Sequence, residues 1–196
     1  VCIVGLGYVG LPLAVVSSKK YDVVGYDLDT SRITKLQKGI DVSNEVSKKQ
    51  IISSDIVFSD KKEDIINCNF YIVTVPTPVK KNNEPDLKYL KDASKLIGKV
   101  ISKNDIVVFE STVYPGVTED ICVPIIEKHS NFKFNKEFFV GYSPERVNPG
   151  SDGMNISKII KVVSGSDNKT AKKVNSFYKN IIPAGTYLAP SIKVAE

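Results

Sequence analysis

Val1-Cys2-Ile3-Val4-Gly5-Leu6-Gly7-Tyr8-Val9-Gly10 opens the chain, and Leu11-Pro12-Leu13-Ala14-Val15-Val16 follows without polar interruption. Four apolar residues meeting a G-x-G-x-x-G turn predict a buried strand, a tight turn and the first two turns of a helix. Each glycine has its own task in such a turn. Gly5 permits the sharp change of direction, Gly7 lets the backbone approach a pyrophosphate, and Gly10 lets helix and strand pack closely. The phosphates would rest on unpaired N–H groups at the helix start, where the helix dipole also favours anions.

A single glycine-rich turn is common, so its surroundings decide its meaning. Asp22-Val23-Val24-Gly25-Tyr26-Asp27 reads as a second short strand ending in an acid, and Asp27 lies 22 residues after Gly5. That spacing suits a carboxylate at the tip of the second strand, accepting hydrogen bonds from an adenosine ribose. The alternative is that Asp27 caps the helix beginning near Thr30; the strand–turn–helix context favours the ribose. An acid there repels a 2′-phosphate and so favours NAD over NADP. Arg32 stands nearby, either as an acceptor of that phosphate or as a solvated helix residue.

The bulk properties narrow the class. A chain of 196 residues with 42% hydrophobic and 25% charged side chains has the make-up of a soluble globular protein with room for a proper core. The net charge of +5 comes from lysines scattered among acids, with pairs such as Lys80-Lys81 and Lys172-Lys173. Scattered charge of that kind suits an anionic ligand and gives no support for a nucleic-acid partner. Cys2, Cys68 and Cys122 lack metal-ligand spacing, and each sits in or beside an apolar run. No metal site is therefore expected; reduced thiols in a cytoplasmic protein are. No signal peptide or membrane-spanning stretch is visible, so no membrane partner is expected. The chain begins without Met, inside a strand, and stops at Ser191-Ile192-Lys193-Val194-Ala195-Glu196, which reads as a helix just starting. A piece of a longer protein is expected, with 1–190 as one domain and 191–196 opening a further helix.

Along the rest of the chain, residues 31–38 predict a short helix ended by Gly39, 45–52 another helix, and 56–58 a strand. Phe70-Tyr71-Ile72-Val73-Thr74-Val75 is a buried strand stopped by Pro76-Thr77-Pro78, and 79–85 is a polar loop. Asp86 is expected to cap a helix with Leu87, Leu90, Leu96, Ile97 and Ile101 turned inward. Strands follow at 105–110, 138–142, 159–163 and 186–188, with helices at 117–129 (Ile121, Ile125 and Ile126 inward) and 169–178. Strands alternating with helices predict an α/β fold, a doubly wound, mostly parallel, Rossmann-like sheet with helices on both faces. Ligands bind such sheets beyond the carboxyl ends of the strands. The loops leaving those ends are 5–10, 76–78, 111–116 and 143–150, each carrying proline or glycine with small hydroxyl or acidic residues.

Those loops carry a resemblance. G-L-G-Y-V-G-L-P at 5–12, V-P-T-P at 75–78, E-S-T-V-Y-P-G at 110–116 and S-P-E-R-V-N-P-G at 143–150, in that order, resemble the nucleotide-sugar 6-dehydrogenases, the family of the UDP-glucose and GDP-mannose dehydrogenases. Members oxidise a sugar's C6 alcohol to a carboxylate by two hydride transfers to NAD⁺. The resemblance implies that Gly5, Gly7, Tyr8, Val9 and Gly10 cradle the NAD pyrophosphate and Asp27 takes the adenosine ribose, with Arg32 near the adenosine end. It further implies that Thr77 approaches the nicotinamide ribose and that Thr112 holds a water or the substrate near the nicotinamide. Glu145 resembles the family's carboxylate that supports hydrolysis of a covalent intermediate. Read from its neighbours alone, Glu145 is either a rigidly aimed base, kept ionised by Arg146, or one half of a surface ion pair.

The same resemblance implies a substrate-binding second domain with a cysteine nucleophile, a lysine and an asparagine on a long central helix, and a homodimer formed through that helix. None of the three cysteines here matches the nucleophile. This chain by itself is therefore expected to bind NAD without oxidising a nucleotide sugar, and to be a monomer or weak dimer. The arginine-containing loop resembles the branch acting on UDP-N-acetylhexosamines more than the UDP-glucose or GDP-mannose branches, which implies a role in surface polysaccharide synthesis. Two other readings compete. A dehydrogenase of the 3-hydroxyacyl or 6-phosphogluconate type shares the first domain's plan but lacks V-P-T-P and S-P-E-R in this order. A non-catalytic NAD(H)-sensing module would leave the Thr112 and Glu145 loops without a chemical purpose.

Overall fold

Side chains alternate across a strand, and in this sheet the two sets of apolar residues feed two separate cores. In the computed structural model, which describes residues 1–145 and 159–196, the strands are β1 (Cys2–Val4), β2 (Val23–Tyr26), β3 (Ile56–Ser59), β4 (Phe70–Val73), β5 (Ile106–Phe109), β6 (Phe139–Tyr142), β7 (Lys161–Gly165) and β8 (Thr186–Leu188). Cys2, Val4, Tyr71, Val73, Val107, Phe109, Val140 and Tyr142 face one way. Ile3, Ile72, Ile106, Val108 and Val163 face the other.

The helices are α1 (Gly10–Ser18), α2 (Thr30–Gln37), α3 (Lys48–Ile52), α4 (Lys88–Val100), α5 (Val123–Ser130), α6 (Asn168–Ile181) and α7 (Ile192–Ala195). Helices α4, α5 and α7 cover the first face, and α1, α2, α3 and α6 the second. In α4, the buried residues Leu90, Ala93, Ile97 and Val100 form one apolar stripe at helical spacing. Among the described residues no helix is long and apolar enough to cross a membrane.

The strand order is β3-β2-β1-β4-β5-β6-β7-β8. Strands β1 to β6 are mutually parallel, and their order is that of a dinucleotide-binding sheet, with the switch point between β1 and β4. Strand β7 runs antiparallel to β6, with Gly141 opposite Gly165 and Tyr142 opposite Ser164. Strand β8 is parallel to β7. That reversal brings the first residue of β7 to the carboxyl edge of the parallel strands.

Local structure departs from the sequence reading at several places; the helix expected over 45–52, for one, forms only at Lys48–Ile52, behind a Ser47 cap. The stretch expected as one helix over 117–129 opens with a π-helical turn, Val117–Cys122, before α5. The wider turn shifts the register, so Cys122, Val123 and Ile126 are buried while Ile121 and Ile125 are half-buried. Asp86 accepts from Lys88 N at 2.9 Å, but α4 begins after Leu87 and has no side-chain cap. Strand β7 starts at Lys161, two residues later than the apolar run suggested.

Candidate functional site

The exit of β1 is built around its glycines. Gly5 adopts φ +95°, a conformation L side chains rarely take, and its N–H donates to Tyr26 O at 2.8 Å. A Cβ on Gly10 would stand 1.9 Å from Gly5 O and 2.4 Å from Thr74 Oγ1, so only glycine fits where α1 meets the turn. Gly7 differs: a Cβ there would meet nothing within 4 Å, because the middle of the turn faces open space. Helix α1 starts without a side-chain cap and without an acid in its first turn, which leaves its positive end to whatever enters that space. An open cradle of backbone at an uncapped helix start fits the pyrophosphate of a dinucleotide.

Asp27 faces this turn rather than α2. Its Oδ2 accepts from Leu6 N at 2.8 Å and its Oδ1 from Asp29 N at 2.9 Å. The cap of α2 is Asp29, which accepts from Arg32 N at 3.1 Å. Arg32 Nε lies 3.7 Å from Asp27 Oδ2, and Arg32 Nη1 donates to Leu6 O at 3.1 Å. Leu6, between the first two glycines, is thus held at both its N–H and its carbonyl by the end of β2 and the start of α2. A carboxylate has roughly four acceptor positions, so Asp27 retains capacity for a further donor. Tyr8 is exposed on the outside of the turn and Val9 precedes α1.

The exits of β4, β5 and β6 are tied to the same edge. Thr74 Oγ1, a site residue the sequence reading did not single out, donates to Gly5 O at 2.7 Å and fixes β4 against the turn. Thr77 Oγ1 donates to Thr112 O at 2.6 Å, Ser111 Oγ to Val75 O at 2.5 Å, and Tyr142 OH to Ser111 O at 3.1 Å. Thr77 and Thr112 are brought together by this stitching, with Thr112 exposed. Farther along that loop, Glu196 accepts from Gly116 N at 2.5 Å and Thr118 N at 2.8 Å, docking α7 against it.

Glu145 does not stand on the surface. Its side chain is 8% exposed and lies 3.4 Å from the ammonium of Lys161, itself 5% exposed. Lys161 Nζ also donates to Glu110 Oε2 at 2.9 Å and to Pro144 O at 3.3 Å. Tyr178 OH donates to the other Glu110 oxygen. Arg146, expected beside Glu145, lies with Val147, Asn148, Pro149 and Gly150 outside the described residues.

The electrostatics follow from burial. Desolvation, with a smaller contribution from the Glu145 charge, pushes the Glu110 carboxyl above its ordinary range despite Lys161. Burial opposes the charge on Lys161, but the two carboxylates outweigh it and its pKa lies above the ordinary lysine value. Burial and then the charge of Glu110 raise the Tyr178 phenol as well.

Lys161, Glu110 and Tyr178 are functional candidates the sequence reading missed. A signal was present: Glu110 ends the apolar run Ile106-Val107-Val108-Phe109, and Lys161 interrupts Ile159-Ile160-Lys161-Val162-Val163. Charges placed inside buried strands are rare unless paired. Alternation puts Glu110 on the face of Ile106 and Val108, and Lys161 on the face of Val163. That is the face covered by α6, from which Tyr178 descends.

Cys122 lies in the π-helical turn, its thiol pushed up to about 12 chiefly by burial. Cys2 is fully buried in β1. Both are inert positions for a thiolate.

The sequence matches the UDP-glucose/GDP-mannose dehydrogenase family, NAD binding domain, over residues 1–182. The chain belongs to this family, as its NAD-binding domain. It is 53% identical to UDP-N-acetyl-D-glucosamine 6-dehydrogenase from Pseudomonas aeruginosa, an alignment covering 100% of this chain and 47% of the relative. Identity to the enzyme of the same name from Salmonella typhi is 49%, over 100% of this chain and 46% of that one. The solved structure of UDP-D-ManNAc dehydrogenase from Pyrococcus horikoshii superposes with a TM-score of 0.88 at 29% identity, covering 100% of this chain and 48% of its own. The chain therefore spans about half the length of the curated relatives it matches.

Proposed function

We propose that this chain is the cofactor-binding part of an NAD-dependent enzyme that oxidises the C6 hydroxyl of a UDP-N-acetylhexosamine to the carboxylate. The observation that carries the reading is the 53% identity, over the whole chain, with a UDP-N-acetyl-D-glucosamine 6-dehydrogenase. The geometry supports it, because an open glycine cradle, a threonine pair and a sequestered carboxylate share one sheet edge.

Gly5, Gly7, Tyr8, Val9 and Gly10 would hold the pyrophosphate through backbone N–H groups at the start of α1. Asp27 would take the adenosine ribose, with Arg32 beside it holding Leu6 in place. The carboxylate at that position favours NAD⁺ over NADP⁺. Thr77 and Thr112 would meet the nicotinamide end, with the exposed Thr112 orienting a water or the sugar. When bound, NAD⁺ supplies the hydride acceptor.

The second stage needs a hydrolytic base. In a thioester formed on a cysteine of the remaining half, Glu145 takes a proton from water as the water oxygen bonds to the carbonyl carbon. The C–S bond then breaks and the thiolate departs.

The test uses the full-length protein with UDP-N-acetylglucosamine, UDP-N-acetylgalactosamine, UDP-N-acetylmannosamine and UDP-glucose, each with NAD⁺ or NADP⁺. NADH release is expected with a UDP-N-acetylhexosamine and little reduction of NADP⁺. Faster turnover of UDP-glucose would move the substrate assignment, and no turnover with any sugar would favour a sensing module. Glu145→Gln should let a covalent adduct accumulate, seen by intact-protein mass spectrometry; wild-type turnover would remove Glu145 from the role of base.

A further inference from the structure

Buried ammonium groups are costly unless every proton has a partner. Lys161 spends its donors on Glu110 Oε2, Pro144 O and Glu145 Oε2, at 2.9, 3.3 and 3.4 Å. The arrangement is not symmetrical. Glu110 is wholly buried and takes the shorter contact, and its other oxygen is occupied by Tyr178 OH. Glu145 lies farther out, at the edge from which the loops depart, with the longer contact. Glu110 and Tyr178 thus fix where the ammonium sits. The ammonium in turn grips both the Glu145 carboxylate and the carbonyl of the residue before it.

The reversal of β7 makes this possible. Tyr142 pairs with Ser164, and Ser143 Oγ donates to Val162 O at 2.7 Å. Antiparallel pairing continued outward brings Glu145 level with Lys161 on the α6 face of the sheet. A parallel β7 would have put Lys161 at the opposite edge.

We infer that Lys161 is a positioning residue for Glu145: anchored by Glu110 and Tyr178, its ammonium aims the Glu145 carboxylate at the reacting edge. This rests on the reading of Glu145 as the base of the hydrolytic step. Among the described residues, the titratable groups facing Glu145 include Lys161 from β7, Glu110 from the end of β5 and Tyr178 from α6.

The experiment follows decay of the covalent adduct at neutral pH in the full-length enzyme, by quenched intact-protein mass spectrometry. Lys161→Met should slow hydrolysis by about tenfold or more, with KM for NAD⁺ changed less than twofold, since the glycine cradle lies across the sheet at β1. Lys161→Arg, which keeps the cation, should recover part of the rate. Glu110→Gln, an isosteric change that keeps Lys161 but loosens its anchor, should also slow hydrolysis. Because it does not unpair the cation, it decides the matter if Lys161→Met fails to fold. Glu145→Gln should slow hydrolysis at least as much as Lys161→Met. If Lys161→Met and Glu110→Gln hydrolyse the adduct at the wild-type rate while Glu145→Gln does not, Lys161 is packing alone and the inference fails while the base reading stands. If Glu145→Gln hydrolyses at the wild-type rate, the base reading fails and takes the inference with it.

Discussion

At the exit of β1 the chain leaves space, and beside the ends of β5 and β6 it packs buried charges against one another. In the glycine turn a Cβ on Gly7 would touch nothing, and the groups around it are backbone N–H and a single carboxylate already bonded to Leu6 and Asp29. Across the sheet, Glu110, Lys161, Glu145 and Tyr178 satisfy one another with almost no access to water. The first region is shaped for something to arrive; in the second, buried charges are paired with one another and only Glu145 stands at the outer edge. An open cradle can lose its ligand and keep the fold. A closed charge cluster cannot lose a member without a cost to stability.

The largest effect on folding should come from breaking the closed region. Lys161→Met leaves two carboxylates sharing a buried site, and removing one partner of a buried ion pair costs about 3–5 kcal/mol. A shift of the denaturant midpoint by that much is expected, and adding Glu110→Gln should recover part of it. If Lys161→Met unfolds at the wild-type midpoint, the cluster is not the closed unit described.

A smaller loss is expected where the open region meets the core. Gly10→Ala forces a Cβ against Gly5 O at 1.9 Å, an overpacking whose usual cost is about 1–3 kcal/mol. Chemical denaturation reads it directly. A wild-type midpoint would mean that α1 can slide away from the turn at no cost.

The contrast between the regions also explains what could be read beforehand. The strand, turn and helix of the first 18 residues are local consequences of one glycine pattern, and Asp27 follows from its spacing. The charge cluster is assembled over separations of 51 residues for Lys161–Glu110 and 68 for Tyr178–Glu110. Only the sheet order brings these together, and the direction of β7 leaves no mark on its own residues. Alternation alone still placed Glu110 and Lys161 on one face, which was the missed clue. The π-helical turn at Val117–Cys122 escaped for a related reason: a changed helical register alters which apolar residues point inward without changing the residues themselves. That Asp29, not Asp27, caps α2 was legible, since Asp29 immediately precedes Thr30.

The most direct test of the open cradle is calorimetric titration of NAD⁺ into this chain and into its Gly7→Val variant, with a denaturation curve for each. The wild type should bind, and Gly7→Val should bind at least about tenfold more weakly, a loss of about 1.4 kcal/mol or more. The added side chain should cost stability no more than about 1 kcal/mol, because it enters open space. Gly7→Val binding NAD⁺ as tightly as the wild type, with its fold intact, would contradict the assignment of this turn as the pyrophosphate cradle.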